Sequence, residues 1–337
     1  MSNKLIPGCD HSLSEFPRLN GETGDAARIM RAVEACEKGV LYIEKGIYEI
    51  DEMLEIKNCC SLMLHKSAVL KAVKEMPFVL WYDAAASYPD LKECDGHLVP
   101  SDDHDAEDWN LFITGGFFDG SGLASCICLN SFKHFTMRDI SLRNGKKYGL
   151  RIEEEGSMWT YELVAYNLYA KCTMPGLAGN AGISSRGGDS HFIDCVVVDY
   201  TRGIELLGGG SNRLTRCHVW GGPIPPKNEG ELPEMLVDSC NYVLSSYDAI
   251  LTDCYADTGM TGFLITQRTR MIGCSYFNNY TYKMDDVTVI DHRAGDLMVA
   301  NCQFRQDSPK ATLYKGSEDL KKTVIWRDNW TEKDLIF

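Results

Sequence analysis

What the chain lacks bounds it first. Among 337 residues only 11 are Pro, and no apolar run approaches the roughly 20 residues that a membrane-crossing helix needs. Positive charge is in deficit. Lys and Arg number 34 against 48 Asp and Glu, and the resulting −14 leaves little for the basic face that generic binding to nucleic acid or an anionic membrane requires. The opening residues Met1–Pro7 carry no apolar stretch of the signal-peptide kind, so the expectation is a cytoplasmic chain. No cysteine pair has C-x-x-C zinc spacing: Cys59 and Cys60 are adjacent, and Cys126 and Cys128 enclose one residue. The 14 cysteines are therefore read as reduced core thiols rather than as a metal site or a disulfide framework. Helical periodicity is also scarce, and almost none is found past Ile50.

What is present is ordinary globular material, with 44% hydrophobic and 24% charged residues and 30 Gly. One short helix is expected over Asp25–Cys36, with Ile29, Met30, Val33 and Cys36 on one face, Thr23 or Asp25 capping its start and Gly39 ending it. Val40–Ile43 and Ile47–Ile50 read as strands around the turn Glu44–Gly46.

Beyond that point the chain repeats itself. Phe192-Ile193-Asp194-Cys195-Val196-Val197, Leu214–Val219, Leu251–Ala256, Met271–Tyr276 and Val299–Phe304 share one pattern: apolar, any, polar or small, Cys, any, apolar or small. Their cysteines stand at 195, 217, 254, 274 and 302, with gaps of 22, 37, 20 and 28. Phe112–Phe118 and Phe135–Leu142 look like earlier members without Cys. A second series opens on Gly: Gly149-Leu150-Arg151-Ile152, Gly182–Ser185, Gly203–Leu206 and Gly262–Ile265. A repeat of 20 to 30 residues with short strands and no helix predicts an all-β, right-handed parallel β-helix, since one coil cannot bury its inward side chains alone. On this reading the cysteines form an interior ladder with no catalytic part. The 37-residue gap holds an extra coil or a long loop, with Pro223–Gly230 as the loop and Met235–Ser239 and Tyr242–Ser245 as strands of an irregular coil. A single domain over 1–337 is expected: cap helix and first strands at 15–50, coils at 51–305 and a C-terminal cap or tail at 306–337.

Two segments carry a family resemblance. Gly24–Cys36 followed by Val40–Ile43 and Gly46–Tyr48 resembles the opening of the pectin-lyase-like β-helix superfamily, and Phe112–Ser121 is similar to a coil of polygalacturonases. The resemblance implies the right-handed coil over about residues 15 to 305 and is weak for function, because one such fold hosts hydrolases, lyases, epimerases, fructotransferases and phage tailspikes. The polygalacturonase acids do not carry over: Asn180-Ala181-Gly182 and Asp199-Tyr200 stand where that family has its aspartates. A looser similarity to inulin fructotransferases implies a homotrimer, with sites between subunits that use an Asp and a Glu.

The densest group of chemically useful residues is Asp189–Gly222. With Ile204 and Leu206 inward, strand alternation turns Glu205 outward; with Cys217 and Val219 inward, it turns out His218 and Trp220. Arg151, Ser184 and Glu205 then fall on one external ridge. Glycoside chemistry needs two carboxylates around the scissile bond, so Glu205 with Asp199 or Asp194 is the expected catalytic set. Arg151, Arg186, Arg202, His218, Trp220 and Asp257 are the expected substrate contacts, an aromatic ring giving a sugar a face to stack on. Each has a plainer alternative. Asp189 and Asp194 fit as turn formers, Arg202 and Glu205 as a structural ion pair, and Trp220 as a loop anchor. The acidic stretch Asp83–Asp108 reads as an excursion between coils, or else as a lid or a Ca²⁺ site. The chemistry expected is glycosidic cleavage or transfer on an oligosaccharide without a cofactor. The alternatives are β-elimination of a uronate, for which Ca²⁺ is a possible requirement, and a non-catalytic glycan-binding or structural β-helix.

Overall fold

The computed structural model describes residues 7–85, 91–94, 97–100, 110–153, 160–174, 179–221, 223–224, 228–231, 234–236, 238–278, 284, 286–305 and 310–331. Much of the acidic stretch, including Asp90, Asp95 and the acids of 101–109, lies outside the described residues, as do 225–227 of the expected loop. The chain forms two compact units, Met1–Tyr169 and Ala170–Phe337. Both are parallel β-helices, built from short strands that visit three parallel sheets in rotation, named here first, second and third.

In the first unit one circuit runs through Val40–Ile43, Gly46–Ile50 and Leu54–Ile56, one strand in each sheet. The two strands expected around Glu44–Gly46 are thus present, but the turn is a corner between sheets and does not join paired neighbours. Like side chains stack inward: Leu41, Leu62, Ile113, Met137 and Ala165 are opposite one another in successive strands and wholly buried. The helix Ala26–Ala35 buries Ile29 and Val33 as expected, but Ala26 and Ala32 complete the buried face and Met30 is only half-buried. Asp25 precedes the helix without capping it, because its carboxylate accepts from Arg18 at 2.9 and 2.7 Å and from the Glu49 N–H at 2.8 Å. Burial pushes the Asp25 pKa up, but Arg18 and the Glu49 N–H outweigh it and hold the group below its usual value.

The second unit repeats the plan. Its third sheet stacks Ile183, Ile204, Tyr242, Phe263 and Ile290 inward, all wholly buried. Tyr242 and Phe263 lie ring on ring at 5.2 Å, and the Tyr242 hydroxyl donates to the Cys217 carbonyl at 2.8 Å. Side chains of this size contribute about 1.5–3 kcal/mol each by leaving water.

The corner from first to second sheet explains the cysteine series. It is two residues long. The leading residue adopts a left-handed backbone at Asp194, Arg216, Asp253, Gly273 and Asn301, with φ between 51° and 65°. Asp, Asn and Gly tolerate that conformation best, which accounts for the polar or small residue before each Cys. The next residue turns inward, and Cys195, Cys217, Cys254, Cys274 and Cys302 are all buried there. The Cys217 thiol donates to the Phe192 carbonyl and that of Cys274 to the Leu251 carbonyl, each one coil back, at 3.3 and 3.6 Å. The 13 cysteines other than Cys94 are free thiols, and of these all but Cys9 are buried. Burial and the neighbouring thiols push Cys254 well above its usual value, as befits structural sulfur.

The Gly series also has a steric cause. At Gly203 a Cβ would stand 2.1 Å from Val219 Cγ1 and 2.5 Å from the Asn241 carbonyl; at Gly182 it would stand 2.2 Å from Val197 Cγ1. At these two positions the third-sheet strand starts against an inward valine of the second sheet, and no side chain fits between them. The 37-residue gap holds no extra coil. Cys240–Leu244 pairs directly with Arg202–Leu206, and Glu234–Met235 lies in a separate antiparallel pairing with Pro223–Ile224. Met235 is therefore not part of a coil strand, contrary to the expectation.

Candidate functional site

The outward positions of the third sheet in the second unit run Ser184, Glu205, Val243, Leu264, Asp291 and Lys315, each opposite the next in register. An outer sheet face normally meets water, and the sequence predicts an exposed ridge. Instead the relative exposures are 0% at Ser184, 4% at Glu205, 6% at Val243 and 7% at Asp291. The face is covered at these four positions, while Leu264 is half-buried and Lys315 exposed, and the covered part carries polar groups that must be satisfied in place.

Glu205 is satisfied on both oxygens. The Ser184 hydroxyl donates to Oε2 and the Arg202 guanidinium to Oε1, each at 2.8 Å. The Arg202 pKa is raised chiefly by that bond to Glu205. Arg202 keeps 43% of its side chain exposed, so the pair is a buried acid tied to a base at the surface. The strand order that buries Ile204 and Leu206 turns Glu205 to the other face, as alternation predicts. Asp291, which the sequence reading missed, is anchored by Arg293 at 2.7 and 3.1 Å. It stands three strand spacings from Glu205, about 14 Å along the stack, too far for the two to flank one glycosidic bond. Its strand Thr288–His292 belongs to the third-sheet series but carries Val289 where the strand Thr261–Ile265 has Gly262, which hid it.

The other expected residues are distributed over the coil. Asp199 sits where the strand Val196–Tyr200 breaks register, with φ 62°, just before Thr201 and Arg202 lead into the strand of Glu205. Burial raises its pKa against the weaker pull of Lys171. Asp194 occupies the corner between first and second sheets, where Arg216 holds it through two bonds at 2.7 and 2.8 Å and keeps its pKa low. It is a turn residue in an exposed ion pair, on a different face from Glu205. Arg186 is exposed, just past the strand Ala181–Ser185. Arg151, in the first unit, is 2% exposed with its guanidinium 5.1 Å from the centre of the Tyr148 ring.

His218, Trp220 and Asp257 come together, but on the outer face of the second sheet. His218 stacks on Tyr255 at 4.6 Å, Trp220 is opposite Asp257, and His218 Nε2 lies 3.8 Å from the Asp257 carboxylate. Tyr255 is pushed up to about 12 by burial and then by the charge of Asp257. Arg151 apart, the expected substrate contacts therefore divide into a Glu205 group and a His218 group on two different faces of the second unit. Among the described residues, no three His, Cys, Asp or Glu side chains gather as a metal-holding group, and no helix is long and apolar enough to cross a membrane.

Coils of three parallel sheets with inward ladders define the class as a parallel β-helix protein. The chain belongs to the family of the right-handed beta helix region, whose model matches residues 125–305. No curated protein matches it. Among solved structures it is similar to ORF18 of Geobacillus virus E2, with TM-score 0.60 and 14% identity over 95% of this chain and 60% of that one. It is also similar to the endo-xylogalacturonan hydrolase of Aspergillus tubingensis (TM-score 0.58, 9% identity, 94% of this chain and 98% of that one). A third likeness is to the A-module of the mannuronan C-5 epimerase AlgE6 of Azotobacter vinelandii, with TM-score 0.57 and 11% identity over 97% and 96% of the two chains. At such identities the likeness is one of fold.

Proposed function

We propose that this protein cleaves, or transfers within the molecule, a glycosidic bond of an oligosaccharide at the covered outer face of the third sheet in the second unit. The observation that carries the reading is the Glu205 carboxylate, held beneath the surface by Ser184 and Arg202 where a sheet face would otherwise be solvated. Two fold neighbours bear names of polysaccharide-acting enzymes, which supports the substrate class.

The environments of the two acids divide the labour. Burial raises the Asp199 pKa, and in this reading Asp199 serves as the general acid. Glu205 accepts hydrogen bonds from a hydroxyl and a guanidinium and acts as base or nucleophile. Arg202 orients it and meets the substrate from the exposed side. Asp194 is on another face of its own coil, so it takes part only where a second copy brings its corner to Glu205, as in a trimer with sites between subunits. Light scattering tests the trimer.

The test of function is a panel of fructans, glucans and pectic fragments incubated with the wild-type, Glu205→Gln and Asp199→Asn proteins and followed by mass spectrometry. Turnover by the wild-type protein that is lost in both folded variants is the expected result. Undiminished turnover by Glu205→Gln removes the assignment. An unsaturated product absorbing in the ultraviolet, and sensitive to chelator, assigns a uronate lyase instead. One observation favours a second reading: both oxygens of Glu205 are already occupied, which suits a glycan-binding module that holds its ligand without turnover.

A further inference from the structure

The first unit carries a cleft that this reading does not use. It lies on the outer face of the first sheet, across the strands Leu111–Thr114, Lys133–Arg138 and Tyr161–Tyr166, and measures about 360 Å³. Phe112, Thr136 and Val164 stand side by side in register, as do Thr114 and Arg138, and all five line the cleft. At one end His134 and Glu162 face each other across neighbouring strands, with His134 Nε2 2.6 Å from Glu162 Oε2. Both residues adopt left-handed backbone conformations, with φ 54° and 61°. His tolerates that conformation, whereas Glu does not favour it, so Glu162 is held in place at a local cost. The matched backbone of the two neighbouring strands aims an acid and an imidazole into one cleft.

The lining identifies the ligand class. Phe112 and Val164 give an apolar surface, and the Thr114 and Thr136 hydroxyls flank it with neutral donors and acceptors. The charged groups of the wall already have partners. His134 pairs with Glu162, and Arg138 is bonded to Asp139 at 3.1 Å and lies 5.4 Å from the centre of the Tyr166 ring. No surplus cation is left to hold a phosphate or a sulfate, and the polar rim does not suit a wholly apolar molecule. A neutral sugar, with C–H patches on its ring face and hydroxyls around its edge, matches the arrangement. We propose that this cleft binds a neutral saccharide unit, with His134 and Glu162 taking its hydroxyls and Phe112 and Val164 its apolar face. The proposal stands on the cleft alone and not on Glu205, which belongs to the other unit.

Calorimetric titration with maltotriose, cellotriose and 1-kestose tests it, with trigalacturonate as the charged arm. Thr136→Trp fills the cleft from an exposed position, and Glu162→Gln keeps the shape while breaking the ion pair; thermal melts report whether each folds. Binding of a neutral trisaccharide is expected to weaken about tenfold or more in both variants, the loss of roughly one well-made hydrogen bond or contact, and to persist in Glu205→Gln. Four results overturn the proposal: no neutral trisaccharide binds, binding is undiminished in folded Thr136→Trp, only trigalacturonate binds, or binding vanishes in folded Glu205→Gln. The last assigns the sugar to the other unit, and a folded Glu205→Gln that binds but does not turn over separates this proposal from the catalytic one.

Discussion

The corner between first and second sheets is built in two ways in the two units. In the first unit its inward position holds Ile140 and Leu168, each 1% exposed. In the second unit the same position holds a run of thiols, Cys195, Cys217, Cys254, Cys274 and Cys302. The difference teaches what the position demands: burial and modest size, without regard to chemistry. A branched aliphatic fills it by volume. A thiol fills it with less volume and adds a weak bond to a carbonyl one coil back. Cysteines recurring in a sequence are thus explained by packing, and the reactive groups are to be sought on the outside of the coil.

The comparison can be broken by substitution. Leu168→Ala leaves a cavity in an aliphatic corner and is expected to cost about 2–5 kcal/mol in a denaturant melt, whereas Cys254→Ala removes a single buried sulfur and costs about 1 kcal/mol. Equal losses would mean that the thiols do more than fill space. The reverse exchange sharpens it: Cys254→Leu forces extra volume into the thiol ladder and is expected to cost about 1–3 kcal/mol.

Asp199→Asn acts through pH. Burial raises the Asp199 pKa in the folded state, so the folded protein binds the proton more tightly than the unfolded chain and loses stability as pH rises from the unfolded value toward the folded one. The Asn variant lacks that loss and keeps the left-handed backbone that Asn tolerates. Its melting temperature is expected above wild type at pH 7 and equal to it at pH 3, where both states of the wild-type carboxyl are protonated. The smallest effect belongs to Asp194→Asn. The corner conformation survives, and the lost pair with Arg216 is exposed, so stability is expected to change by less than about 1 kcal/mol. A larger loss would raise Asp194 above a turn residue.

Much of the coil was legible because its constraints recur. The left-handed corner favours Asp, Asn or Gly, with Arg216 an exception, the residue after it is a buried thiol or aliphatic, and Gly203 and Gly182 mark where the third strand touches the second sheet. Alternation within a strand then turned Glu205, His218 and Trp220 outward correctly. The site was less legible, for two reasons. Alternation says which way a side chain points and not which sheet it points from, so Glu205 and His218 were read into one group although they stand on two faces. It is also silent on what lies over a face, so the covering of Ser184, Glu205 and Asp291 had no signal in the repeat. The His134–Glu162 pair was hidden for a third reason: left-handed His and Glu carry no compositional mark.

The account rests most on Glu205 being the group that meets substrate. A crystal structure of Glu205→Gln with a bound substrate oligosaccharide tests this directly. The account predicts the sugar chain on the outer face of the third sheet, with a glycosidic oxygen within hydrogen-bond reach, roughly 2.6–3.2 Å, of the residue 205 side chain. A sugar chain bound elsewhere on the second unit, with residue 205 still held only by Ser184 and Arg202, would contradict it.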